Sequence, residues 1–599
     1  MRRFLLGFAL MSSMQTLPRW NLSAFFPGLD SAEFTAAVRN VENKLTGLEQ
    51  QLDKLERADQ NTAIKSFDEV AGALNEVSDD FRLIRGYVHG FVTTDSRNEA
   101  AQARQSELAK PAIRLSKIST RFTQWVGQIP KDQLLQHSSA ARDHEFAIDK
   151  IKTEAEHLMS PPEEALASDL SETGGSSWSR LHGNFTSQLR IKFMGETQPI
   201  SALRNMAFDS SREHRKSAYE MELQAWEDNA LVVAACYNAI KGETITLHEK
   251  RGWPSVLDHA ILNTNIDRQT LEAMLSAAED AFPVFRRYLQ AKSRYLGNEG
   301  ALPWFDLFAP VGEGDEWSYD QAKEFVVRHF HSYSPKMGQF AERAFAEDWI
   351  DVPPADGKRD GAFCMPVRQD ESRILMNFKP AFGAVSTLAH ELGHAYHNVC
   401  LSGRTALQRR TPMTLAETAS IFCETIVKRA ALRESSDQEA LPILEASLQG
   451  ATQIVVDISS RFRFEKASIE GRAKRELASR ELCELMLQAQ KETYGDGLDQ
   501  NALHPYMWAA KPHYYSYSSY YNYPYMFGML FGLGLYKVYQ DEPEGFPKRY
   551  DDLLSSTGMA DAATLGDRFG IDIQKKEFWA GSLQIIAEDV EKFERLTQE

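Results

Sequence analysis

The chain has 599 residues, 43% of them apolar and 25% charged, with a formal net charge of −17 and a pI near 5.5. This is ordinary soluble composition, with material for a large core and a length that would fill roughly three to six domains. The acidic balance excludes non-specific binding to nucleic acid or to anionic membrane, since both reward positive charge.

In chain order, Arg2 and Arg3 precede the short apolar run Phe4 to Met11. The run is far below the ~20 residues of a spanning helix, and no A-x-A-like cleavage site follows. Residues 1–19 are read as a leader or a misassigned start, and the setting as cytoplasmic. The five cysteines fit that setting: Cys236, Cys364, Cys400, Cys423 and Cys483 are odd in number, without C-x-x-C spacing.

Residues 31–57 carry Phe34, Val38, Val41, Leu45, Leu48 and Leu52 at the spacing of one helical face. The same period predicts helices over 67–91, 100–126 and 143–158. Together they suggest an N-terminal helical lobe over 20–195, followed by a catalytic domain over 196–599. Pro161-Pro162 and Gly174-Gly175-Ser176-Ser177 read as breakers. Helix is expected again over 211–238 and 267–296, then loop from Pro303 to Trp317. The runs 361–365 and 372–378 form a plausible hairpin, and beyond Ala389 the chain is mostly helical.

The chemistry is carried by His390-Glu391-Leu392-Gly393-His394, an H-E-x-x-H motif. On a helix, residues four apart share a face one turn apart, so both imidazoles reach one zinc. Glu391 then sits beside the water that the metal activates. Ser386 or Thr387 is expected to cap this helix and Gly403 to stop it. Gly393, unfavourable within a helix, implies close approach of another backbone. His397 is read as structural. A second helix is expected from Met413 to Glu424. Glu417 is assigned as third ligand, and Glu424, two turns later, would orient a ligating histidine through its free ring N–H.

From Lys511 to Gly528, His513 is followed by seven tyrosines, Tyr514, Tyr515, Tyr517, Tyr520, Tyr521, Tyr523 and Tyr525. Phenol O–H and imidazole N–H are donors suited to an oxyanion developing on a peptide carbonyl, so the segment is read as a catalytic wall.

These motifs together resemble the oligoendopeptidase F branch of the thimet-oligopeptidase-like zinc peptidases. The carriers are His-Glu-Leu-Gly-His, Glu417 in Leu-Ala-Glu-Thr-Ala-Ser, His513, and the Tyr-Tyr-Asn-Tyr-Pro-Tyr run. The text ending Leu375-Met376-Asn377-Phe378 is similar to that family's edge strand, and Trp20 to Ser31 to its start. The resemblance implies a mainly α, two-lobed body with a deep central cleft and a small β-sheet beside the motif helix. It implies one zinc on His390, His394 and Glu417, with Glu391 as general base. Tyr523 would be the main oxyanion donor, helped by His513 and Tyr520. Leu375, Met376, Asn377 and Phe378 are expected to pair with an extended substrate. The expected activity is cleavage of internal bonds in short unstructured peptides. A zinc metallocarboxypeptidase and a non-catalytic peptide-binding relative are the alternatives.

Overall fold

A computed structural model describes residues 17–598, so nearly all of the expected leader lies outside the described residues. The first helix, Ala32–Leu55, starts where the Ser31 hydroxyl accepts the Phe34 amide, and it buries Phe34, Val41, Leu45, Leu48 and Leu52. Asp59 caps the second, Gln60–Thr94, in the same way. The helix expected over 100–126 is two, Glu99–Glu107 and Ala109–Gln128, broken at Leu108. Pro111 accounts for the break, because it has no N–H for the carbonyl of Glu107 four residues back. With Glu145–Glu156, these helices close a first hydrophobic core.

The expected breakers act as corners between helices. Pro161 opens the helix Pro161–Thr173, where its missing N–H is harmless, and Gly174 alone separates it from Gly175–Gln188. Trp178, Phe185 and Leu189, which precede the expected boundary at residue 195, pack against the second core. A small antiparallel ribbon follows, β1 (Arg190–Phe193) with β2 (Glu196–Pro199). The second, larger core is built by long helices that include Arg212–Lys250, Arg268–Tyr295 and Lys576–Leu596.

Between the two cores lies a three-stranded sheet of β3 (Ile350–Asp351), β4 (Phe363–Arg368) and β5 (Glu371–Leu375), ordered β3-β5-β4. The expected hairpin is β4 and β5, with Phe363 opposite Leu375 and Cys364 opposite Ile374. Met365, Val367 and Leu375 face the first core, while Ile374, Met376 and Phe378 face the second.

The edge expected at Leu375 to Phe378 is not there. β5 is the interior strand, and beyond it the amides of Met376 and Phe378 donate to the carbonyls of Asp351 (2.9 Å) and Val352 (3.0 Å). Leu375, Met376 and Phe378 are buried, and the Asn377 amide is tied to the carbonyls of Arg359 and Gly361. Pairing with β3 consumed the donors that a substrate would need. The edge strands of the sheet are β3, only two residues long, and β4. Among the described residues, no helix is long and apolar enough to cross a membrane.

Candidate metal centre

The motif helix spans Phe382–Cys400 and buries Val385, Leu388, Leu392, Ala395 and Tyr396. Its N-cap is Ala381, with no side-chain cap, so neither Ser386 nor Thr387 performs the expected capping. Both lie inside the first turns. Ser386 donates to Glu424 Oε1 at 3.0 Å, and Thr387 to the Gly383 carbonyl. The helix ends at Cys400 with Leu401 as cap, three residues ahead of Gly403.

Gly393 has the expected cause. A Cβ there would stand 2.6 Å from the Ala419 carbonyl oxygen and from Ser420 Cα, so the next helix crosses in backbone contact. That helix is interrupted. A short turn, Met413–Ala416, precedes Thr418–Glu434, and Glu417 occupies the junction rather than a helix interior. On its far side, a Cβ at Gly528 would lie 2.7 Å from Glu417 Cβ. Gly528 thus packs on Glu417 itself, and Gly393 on the backbone two to three residues after it.

The imidazole rings of His390 and His394 are 4.9 Å apart and nearly perpendicular. Glu417 Oε2 lies 3.3 Å from His390 Nε2 and 3.4 Å from His394 Nε2. One ligand atom from each of the three residues falls within 4.8 Å of the others. His390 Nδ1 donates to Glu424 Oε2 at 3.1 Å, which fixes the tautomer and leaves Nε2 toward the centre. Ser420 donates to Glu417 Oε2 at 2.8 Å. Burial alone would push His390 down, but hydrogen bonds to Glu417 and Glu424, and their charges, raise it to about 10. Burial likewise opposes ionisation of Glu417, yet the two histidines hold it far below the usual carboxylate range. This donor set calls for a positive charge at its middle, and two imidazoles with one carboxylate suit a divalent cation of the zinc type.

Glu391 lines a cavity of about 410 Å³ together with His390, Glu424 and Ala362. Its side chain is buried and Oε2 has no partner among the described residues. Burial raises its pKa, and Glu417 adds to this, against the two histidines. His397 is buried with Nε2 on the Thr557 hydroxyl at 2.9 Å, and burial pushes it down to about 4, a structural role.

The tyrosine segment stands behind Glu417. His513 sits in the turn Pro512–Tyr515, its ring parallel to Tyr521 and its Nε2 buried without a partner. Burial and the nearby cations Arg461 and Lys511 push it down to about 3, so it stays a neutral donor. Tyr520 is buried against Phe462 with φ +56°. Tyr523 opens the helix Tyr523–Asp541, and its hydroxyl is bonded to that of Thr264 at 2.7 Å. The Thr264 carbonyl accepts from Thr414, three residues before Glu417.

Sequence reasoning did not single out Tyr525. It is only half-buried, and its hydroxyl meets that of Tyr521 at 3.0 Å. Burial, Tyr521 and the charge of Glu417 all raise its pKa. The signal was available: Tyr525 lies three residues before Gly528, on the helix face that packs on Glu417.

Comparison with known proteins gives the family. The model for peptidase family M3 matches residues 205–585, and that for oligopeptidase F matches residues 130–191. An oligoendopeptidase F homolog of Borreliella burgdorferi is 22% identical over 97% of this chain and 98% of its own. Oligopeptidase PepF of Bacillus subtilis is 23% identical over 76% and 69%. Oligoendopeptidase-F from Enterococcus faecium has a similar fold, with a TM-score of 0.70 at 17% identity over 94% of this chain and 99% of that one.

Proposed function

The chain belongs to peptidase family M3, and from that premise we propose that it is a zinc-dependent endopeptidase that hydrolyses internal bonds of short, unstructured oligopeptides in the cytoplasm. The observation that carries the reading is the convergence of His390, His394 and Glu417 beside the unpaired Oε2 of Glu391. The first three residues hold one zinc. Bound there, the metal supplies Lewis acidity that sharpens a water nucleophile and polarises the scissile carbonyl.

Glu391 is the general base. Its buried oxygen takes the water proton and later returns it to the leaving amine. Glu424 keeps His390 in the tautomer that offers Nε2 to the metal. Tyr523 donates to the developing oxyanion, with His513 and Tyr520 supporting it, and Tyr525 is a further donor beside Glu417. The substrate backbone runs along the outer edge of β4, whose neighbour Ala362 lines the same cavity as Glu391.

The test is mass-spectrometric mapping of cuts in a mixed short-peptide library, with wild type and Glu391→Gln. Internal cuts by wild type alone support the reading. Successive C-terminal losses indicate a carboxypeptidase, and an absence of cuts with zinc bound indicates a non-catalytic binder.

A further inference from the structure

The fold forms another cavity, of about 290 Å³ and open to solvent on one side, that shares no lining residue with the metal centre. Four separate stretches of chain bring Arg204, Glu222, His504 and Lys511 to it as polar groups. Trp304, Phe305 and Phe308 provide aromatic wall.

His504 is the unexplained feature. It is 1% exposed, and neither ring nitrogen has a hydrogen-bond partner among the described residues. Glu222 Oε1 lies 3.6 Å from Nε2, beyond a real hydrogen bond. The ring is nevertheless held in place. Gln490 accepts the His504 amide and donates to its carbonyl, and the ring packs on Trp304. A buried imidazole with both polar edges unused costs stability, so such groups call for a partner.

The charges around it are divided. Glu222 accepts from Trp226 at Oε1 and lies 3.3 Å from Arg204 Nε. The Lys511 ammonium makes no hydrogen bond or ion pair among the described residues, although the Lys511 carbonyl accepts from the Tyr514 amide. Cation, anion, unpaired imidazole and aromatic surface thus line one small space. Its volume suits a single small molecule, at the lower end of the roughly 300–1,000 Å³ of small-molecule pockets.

We propose that this cavity binds a free α-amino acid with a large apolar or aromatic side chain. The carboxylate is taken by Lys511, the ammonium by Glu222 with His504 as a further polar contact, and the side chain by the wall of Trp304, Phe305 and Phe308. Charge-assisted contacts at both ends fix the zwitterion, and the aromatic wall selects its side chain.

The test is calorimetric titration of L-phenylalanine into the zinc-loaded full chain. One site per chain is expected, and it persists after EDTA treatment, because it is not the metal centre. 3-Phenylpropionate and 2-phenylethylamine, each lacking one charge, bind more weakly. Lys511→Met weakens L-phenylalanine by about tenfold or more. Absence of binding in wild type up to about 10 mM, loss of the site with EDTA, or unchanged affinity in Lys511→Met overturns the proposal.

A second measurement needs no variant. Burial and Arg461, with Arg204, push Lys511 down to about 7, against the opposing charges of Asp457 and Glu222. A carboxylate settling on Lys511 then draws a proton from solution at mildly alkaline pH. The binding heat therefore differs between phosphate and Tris buffers, and equal heats overturn the assignment of the carboxylate to Lys511.

Discussion

Glu391 presents one buried carboxylate oxygen with no partner, in surroundings that raise its pKa. Glu391→Gln keeps the shape but cannot accept a proton. It should retain stoichiometric metal and lose about 10²–10⁴-fold in turnover, which metal analysis alongside a peptide assay would check. Robust turnover would remove Glu391 from the role of base. Glu424 acts one bond further out, through His390 Nδ1. Glu424→Gln should weaken metal binding by about 10–100-fold, read by competition with a coloured chelator, and unchanged affinity would show that the contact orients nothing. The tyrosines divide by the same logic. Tyr523→Phe should lower kcat by about 10²–10³ if its phenol serves the oxyanion. In the structure that hydroxyl is bonded to Thr264, whereas Tyr525 stands in the field of Glu417. If Tyr525→Phe carries the loss while Tyr523→Phe stays within about tenfold, well short of that range, the donor role belongs to Tyr525.

Among the elements, the motif helix and the helix that follows Glu417 are in backbone contact at Gly393, and the tyrosine helix meets Glu417 at Gly528. A methyl group at Gly393 must displace backbone, not a flexible side chain. Gly393→Ala should therefore cost about 1–3 kcal/mol in stability and move Glu417 away from His390 and His394, weakening metal binding as well. Denaturant unfolding of the apoprotein, set beside metal affinity, separates the two effects; a variant as stable as wild type would mean that the helices are free to part. This contact was legible in the sequence, because a glycine inside a strong helical pattern has few other reasons to be there. The pairing of the two histidines and the hairpin were legible too, since each follows from a spacing or an alternation, and Glu417 was singled out because such a site needs a third protein ligand. The interior position of β5 was not. Its partner β3 is only two residues long, Ile350–Asp351, too short to leave a pattern, and it lies some twenty residues upstream. Nor did periodicity reveal the junction at Glu417, because the apolar positions on either side continue as though one helix ran through.

For the molecule as a whole, the question is whether the two cores melt together. All three candidate ligands, His390, His394 and Glu417, belong to elements of the second core, the motif helix and the junction at Glu417. The first core contains none of them, but it shares the hairpin: Leu375 is buried in one core and the adjacent Ile374 in the other. The hairpin is also anchored from outside, since the buried Arg373 donates to the Asn21 carbonyl at 3.0 Å and the Asn21 amide to that of Asp348. A strand buried on both faces cannot leave one core without exposing apolar surface in the other, so the cores should unfold in one transition. A metal that binds only the folded state stabilises by mass action, by about 4 kcal/mol at a thousandfold excess over its Kd. Chelation should therefore lower the Tm of that single transition, as followed by circular dichroism, and reduce hydrogen-exchange protection of the most stable amides in the helix Ala32–Leu55 as much as in the motif helix. Two transitions, only one of them sensitive to metal, would mean that the hairpin does not couple the cores and that the first core folds on its own.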